Sequence, residues 1–152
     1  MSELVRGSSV PLFDRLASSD DPVPAGAFLL TPEQLQASIA KELSRLFNTR
    51  SRLAPSEYSG SNGTVIDYGI PDFSALSARH ADDRELLQSA LKQAIVFYEP
   101  RMANISVKVE AHPQRGDRAM VTVSGDVAIG LKPQRVSFAL GLGPSDETAP
   151  VA

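Results

Sequence analysis

Cysteine is absent from this chain of 152 residues. That removes disulfides and thiolate chemistry, and it fits a reducing compartment. Histidine is almost absent: His80 and His112 are the two present. Hydrolytic metal sites need several His, Cys or carboxylates converging on one point. Neither imidazole has a partner at ligand spacing, so both read as solvated loop side chains, with Asp82 near His80 acting as a helix cap. No excess of positive charge exists either. A formal net charge of -3 gives no broad basic surface for nucleic acid. The longest apolar runs, such as Ala25 to Leu30, are too short to span a bilayer. Met1 to Gly7 lacks the basic start and apolar core of a secretion signal. The expectation is a soluble cytoplasmic protein with no direct membrane insertion.

Catalytic patterns are missing in the same way. There is no nucleophile-elbow motif. Gly60-Ser61-Asn62-Gly63 lacks the Lys and the helix that a phosphate-cradling loop requires. Glycoside hydrolysis needs two carboxyls across a cleft; Glu57, Asp67, Asp72 and Glu99 are candidates by residue type alone. Asp72 is more simply a cap, and the cation two residues from Glu99 makes it a poor general acid. The reading is of a protein that is not an enzyme, with no catalytic residue, no cofactor and no metal.

What the chain does contain suits one domain with a sizeable core. Residues 1–30 read as a flexible segment with a short amphipathic island, Pro11-Leu12-Phe13-Asp14-Arg15-Leu16, followed by the turn-rich link Ser18 to Gly26. A first long helix starts at the N-cap Thr31, with Pro32 at its first position and Gln34 completing a capping box. Leu35, Ile39, Leu43, Leu46 and Phe47 form its apolar stripe. Asn48-Thr49-Arg50 ends it, through a residue tolerant of left-handed geometry and a cation at the negative end of the dipole. Residues 51–63 read as a polar loop, Thr64 to Tyr68 as a short strand or extended run, and Phe73 to Ala78 as a short helix capped by Asp72. A second long helix is expected from about Asp82, with Glu85 in a second capping box. Its apolar face comprises Leu86, Leu87, Ala90, Leu91, Ala94, Ile95 and Tyr98. Three alternating runs follow around Ile105 to Val109, Val121 to Val127 and Val136 to Leu140, separated by turns at Pro113 to Asp117 and Gly130 to Pro133. Gly125 implies a bulge or a close backbone approach. The fold class is α+β: two long helices on one face of a small antiparallel meander over residues 31–142, with a disordered tail at 143–152.

The helix-to-strand junction Phe97-Tyr98-Glu99-Pro100-Arg101-Met102 organises this layout. Pro100 locks its own φ and moves Glu99 out of the helical region. In an extended segment Glu99 and Arg101 would then point the same way. A carboxylate and a guanidinium in a stiff corner make a reasonable docking point, against the plainer reading of a solvated loop.

Four stretches occur in order: Pro11 to Leu16, Leu46-Phe47-Asn48-Thr49-Arg50, Tyr68-Gly69-Ile70-Pro71-Asp72 and Tyr98-Glu99-Pro100-Arg101-Met102. Together they resemble the TssE family, small baseplate wedge subunits of the bacterial type VI secretion system, which are similar to a contractile-phage baseplate wedge protein. The likeness runs from about Pro11 to Leu142. Phe47 and Ile70 stand where leucine is commoner. The resemblance implies a structural subunit, one per wedge and six copies per baseplate, in a complex on the cytoplasmic side of the inner membrane. It implies that Glu99, Pro100 and Arg101 bind neighbouring wedge subunits. It also implies that the domain templates the contractile sheath by strand pairing. Two rivals are a lysozyme-like enzyme cleaving peptidoglycan and a generic α+β adaptor of another assembly.

Overall fold

A computed structural model describes residues 30–114, 118–129 and 132–142. The island at Pro11 to Leu16, the link at Ser18 to Gly26, the tail 143–152 and the centres of two turns lie outside the described residues. The first helix, α1, is Pro32–Asn48. Its start is as the residues dictate: the Gln34 backbone N–H donates to Thr31 Oγ1 at 3.2 Å, and the Thr31 N–H donates to Gln34 Oε1 at 2.9 Å. Leu35, Ile39, Leu43, Leu46 and Phe47 are all buried. Its end differs from expectation. Asn48 does not turn left-handed. Thr49 is the extended C-cap, donating its N–H to Leu46 O. The cation does reach the last carbonyls, with Arg50 Nη1 donating to Phe47 O at 3.1 Å.

The stretch between the long helices is more structured than its polarity suggests. The 51–63 loop contains a short helix, α2 (Pro55–Tyr58), with Glu57 Oε2 accepting from the Ala54 N–H. Thr64 to Tyr68 is not a strand. Val65–Asp67 forms a 3₁₀ turn, because no strand of the described residues pairs with it and Asp67 is drawn inward, leaving Val65 90% and Ile66 73% exposed. Phe73 to Ala78 is likewise not a helix. Asp72 Oδ1 accepts from the Ser74 N–H at 3.0 Å and caps a turn.

The second long helix, α3 (Ala81–Tyr98), begins one residue earlier than expected, with His80 at the N-cap and no side-chain cap. The predicted Asp82–Glu85 box is not formed. Asp83 does the tying instead, accepting from the Ser77 N–H at 2.9 Å with His80 Nδ1 3.5 Å away. Asp82 and Asp83 still sit at the positive end of the helix dipole. Leu87, Leu91, Ala94 and Ile95 are buried, whereas Leu86 and Val96 face outward.

The sheet is antiparallel in the order β1 (Met102–Ala111), β2 (Ala119–Ile129), β3 (Lys132–Leu142). Lys132 and Pro133, read from sequence as turn residues, are already in β3, paired with Ile129 and Ala128. The β1–β2 register shifts between Ala103 and Ser106. There Asn104 has φ 48°, and its side chain donates to Asp126 Oδ2 at 2.7 Å. Arg135 donates to both Asn104 O and Asp126 Oδ1. Gly125 lies opposite this bulge, where a Cβ would sit 2.7 Å from Met102 Cε and 3.1 Å from Ala103 O. Val109, Val121, Val123, Val127, Val136 and Leu140 share one core with the helix stripes. α3 packs along β1, and α1 packs against α3 and β3.

Candidate functional site

α3 ends at Tyr98 because Pro100 cannot continue it. Glu99 still donates its N–H to Ile95 O at 2.8 Å, and the Met102 N–H donates back to Glu99 O at 3.2 Å. The corner is therefore a tight turn with proline at its second position. It is not an extended run, yet it places Glu99 and Arg101 on the same side. Arg101 Nε donates to Glu99 Oε1 at 2.7 Å and Nη2 to Oε2 at 2.6 Å. This is the fork-on-fork geometry that gives the strongest charge-assisted pairs. The Arg101 backbone N–H adds a third bond to Glu99 Oε1. Arg101 Nη1 donates to Ser38 Oγ on α1 at 3.0 Å.

The pair faces inward. Glu99 is 3% exposed and the Arg101 side chain 11%, while Pro100 is exposed at the tip. The ionic couple thus clamps the corner to α1 and leaves proline outermost. Ser38 was not singled out in the sequence. Its signal was a small hydroxyl three residues after Leu35, on the shoulder of the apolar stripe.

A second frame abuts this corner. Gly69 has φ 118°, and a Cβ there would lie 2.6 Å from Thr49 O and 2.8 Å from Ser51 N. Only glycine allows the backbones to approach so closely. The approach is sealed by the Ile70 N–H donating to Thr49 O and the Ser51 N–H donating to Ile70 O. Tyr58 is buried and donates its hydroxyl to Gly69 O; burial pushes that hydroxyl well above the ordinary tyrosine range. Tyr68 and Tyr98 meet edge to face, with ring centroids 5.0 Å apart, and Tyr98 donates to Thr64 O at 2.9 Å. Leu46 to Arg50, Tyr68 to Asp72 and Tyr98 to Met102, scattered in sequence, thereby become one contiguous frame.

The four candidate carboxylates are each committed to local structure. Glu57 caps α2, Asp72 caps a turn, and Glu99 holds Arg101. Asp67 accepts from Thr64 Oγ1 and Arg52 Nε, which hold its carboxyl below the usual range. Among the described residues, no group of three or more His, Cys, Asp or Glu gathers where a metal ion could bind.

Comparison with known proteins decides the family. Residues 33–130 match the family model described as "Baseplate wedge protein gp25". This chain belongs to the gp25 baseplate wedge family. The matched span runs from the first turn of α1 to the end of β2 and so includes the whole clamp. A chain from "The baseplate complex from the type VI secretion system" has the same fold, with a TM-score of 0.52 at 19% identity over 73% of this chain and 96% of that one. A putative tail lysozyme from Geobacter sulfurreducens is similar at 18% identity over 79% of this chain and 100% of that one, with a TM-score of 0.48. No curated protein matches this chain significantly. Among the described residues, no helix is long and apolar enough to cross a membrane.

Proposed function

We propose that this gp25-family chain is a non-enzymatic wedge subunit of a type VI secretion baseplate. It docks on neighbouring wedge subunits through the Glu99-Pro100-Arg101 corner and offers its sheet to the first strands of the contractile sheath. Six copies would complete one baseplate, in the cytoplasm against the inner membrane. The observation that supports the docking reading is the rigidity of the corner. Two parallel bonds between Glu99 and Arg101, with a third anchor at Ser38, hold exposed Pro100 in one geometry before any partner arrives. A preorganised contact loses little entropy on binding.

This division of labour makes exposed Pro100 the contact, and the buried Glu99–Arg101 pair its support. The test is a pull-down of the full chain with the wedge subunits of the same system. Pro100→Glu should fold normally and lose capture of those subunits. Normal capture by a folded Pro100→Glu variant would overturn the corner as the docking point.

A further inference from the structure

The helix α3 carries apolar side chains on two opposite sides. Leu87, Leu91, Ala94 and Ile95 are buried on the core side. At about 100° per residue, Leu86, Ser89 and Val96 fall together on the other side, where Leu86 is 47% and Val96 56% exposed. The exposed positions of α1, by contrast, are Glu33, Gln34, Ala37, Lys41 and Asn48, as expected of a helix with one face in the core and one in water. A helix with a second apolar strip calls for a cover over that strip.

Two glutamines give the strip its walls. Gln88 Oε1 accepts from the Val109 N–H at the β1 edge at 2.9 Å, and Gln93 Nε2 donates to Tyr58 O at the end of α2 at 3.0 Å. These side chains leave α3 on either side of the strip, so β1 flanks it on one side and α2 on the other. An open-sided hollow of about 510 Å³ lies along the first half of the helix, with Leu86 and Ser89 in it and Asp82 and Glu85 at its acidic end. The described residues begin at Leu30, which packs against the core just ahead of α1, and α1 packs against α3. The segment that precedes Leu30 therefore enters the fold beside the helix that carries the strip.

We propose that the cover is this chain's own island, Pro11 to Leu16, docked in cis on the outer strip of α3. Leu12, Phe13 and Leu16 have the i, i+1, i+4 spacing that puts three apolar side chains on one side of a helical turn, and they cover Leu86 and Val96. Arg15 faces the acidic end at Asp82 and Glu85, so the charges are complementary. The tether is long enough. Leu16 and Leu30 are fourteen residues apart, a span of up to about 50 Å, whereas α3, with 18 residues, is about 27 Å long. A tethered segment meets its site at an effective concentration near millimolar, so a contact of three apolar side chains and one ion pair suffices.

The chain has no cysteine, so a nitroxide can be attached at a single introduced thiol. The experiment is paramagnetic NMR on the full chain with Lys92→Cys, exposed beside the strip, or with Ser137→Cys, exposed on β3. The label at position 92 should broaden the amides of Leu12 to Leu16, and the label at position 137 should leave them sharp. Phe13→Ser and Leu86→Ser, each checked for folding by circular dichroism, should restore full signal intensity. Arg15→Glu should restore part of it, and Glu85→Arg added to Arg15→Glu should bring the broadening back. Equal broadening from the two labels, or none from the label at position 92, would overturn the docking. Broadening seen only between a labelled chain and a separate isotope-enriched copy would put the island on a second copy and overturn docking in cis.

Discussion

Arg101 grips Glu99 through two parallel hydrogen bonds of 2.7 and 2.6 Å, and both side chains are largely withdrawn from water. Removing one partner of such a pair leaves a buried charge uncompensated. Arg101→Ala is therefore expected to destabilise the chain by about 3 to 5 kcal/mol. Arg101→Lys keeps the charge, loses the fork and should fall between. The double change Glu99→Gln with Arg101→Met should recover much of the loss, since no charge is then stranded. Urea denaturation of the four proteins checks the order. A wild-type midpoint for Arg101→Ala would mean that the clamp contributes nothing to stability.

Gly69 makes a sharper demand on the backbone. Any side chain there meets the Thr49 carbonyl and the Ser51 nitrogen while held at φ 118°. Gly69→Ala should cost about 3 kcal/mol or more. The loss should appear as early opening of the 49–72 segment, with faster amide exchange at Ile70 and Ser51. Unchanged exchange there would mean the segment relaxes around a Cβ.

Asp67 links stability to acid. Hydrogen bonds from Thr64 and Arg52 lower its folded value below the ordinary 3.8. A carboxyl lowered on folding contributes stability that is fully present above pH 3.8 and is lost as pH falls through the lower, folded value. Asp67→Asn should therefore show a shallower loss of stability below that pH than the wild type, measured by urea midpoints across the acid range. Parallel acid limbs would show that Asp67 is not coupled to folding.

Core and surface positions of similar chemistry should separate widely. Leu91 is fully buried, and Leu91→Ala should cost about 2 to 5 kcal/mol. Val65 and Ile66 project from their turn, so Val65→Ser and Ile66→Ser should each stay within about 0.5 kcal/mol of wild type. Thermal melts of the three variants provide the comparison. Large losses at Val65 would mean that its turn packs against something in solution.

Some of this protein was legible residue by residue. Local signals are enough for a capping box such as Thr31 with Gln34, a stripe such as Leu35 to Phe47, or alternation such as Val121, Val123 and Val127, because each depends on neighbours within about one turn or one pleat. The proline at position 100 determined by itself that a helix had to stop there. Signals of the same kind failed wherever a distant partner competed. Thr64 to Tyr68 has strand-forming residues but, among the described residues, no strand to pair with, and Asp67 is claimed by Arg52. The expected Asp82–Glu85 box gave way to Asp83 reaching back to Ser77. At the corner, sequence placed Glu99 and Arg101 side by side, but only tertiary packing decided that they face inward, because Ser38 arrives from a helix some sixty residues away. Which sheet edge is capped was equally invisible in the strands themselves, since it is decided by the reach of Gln88 from α3 to the Val109 amide.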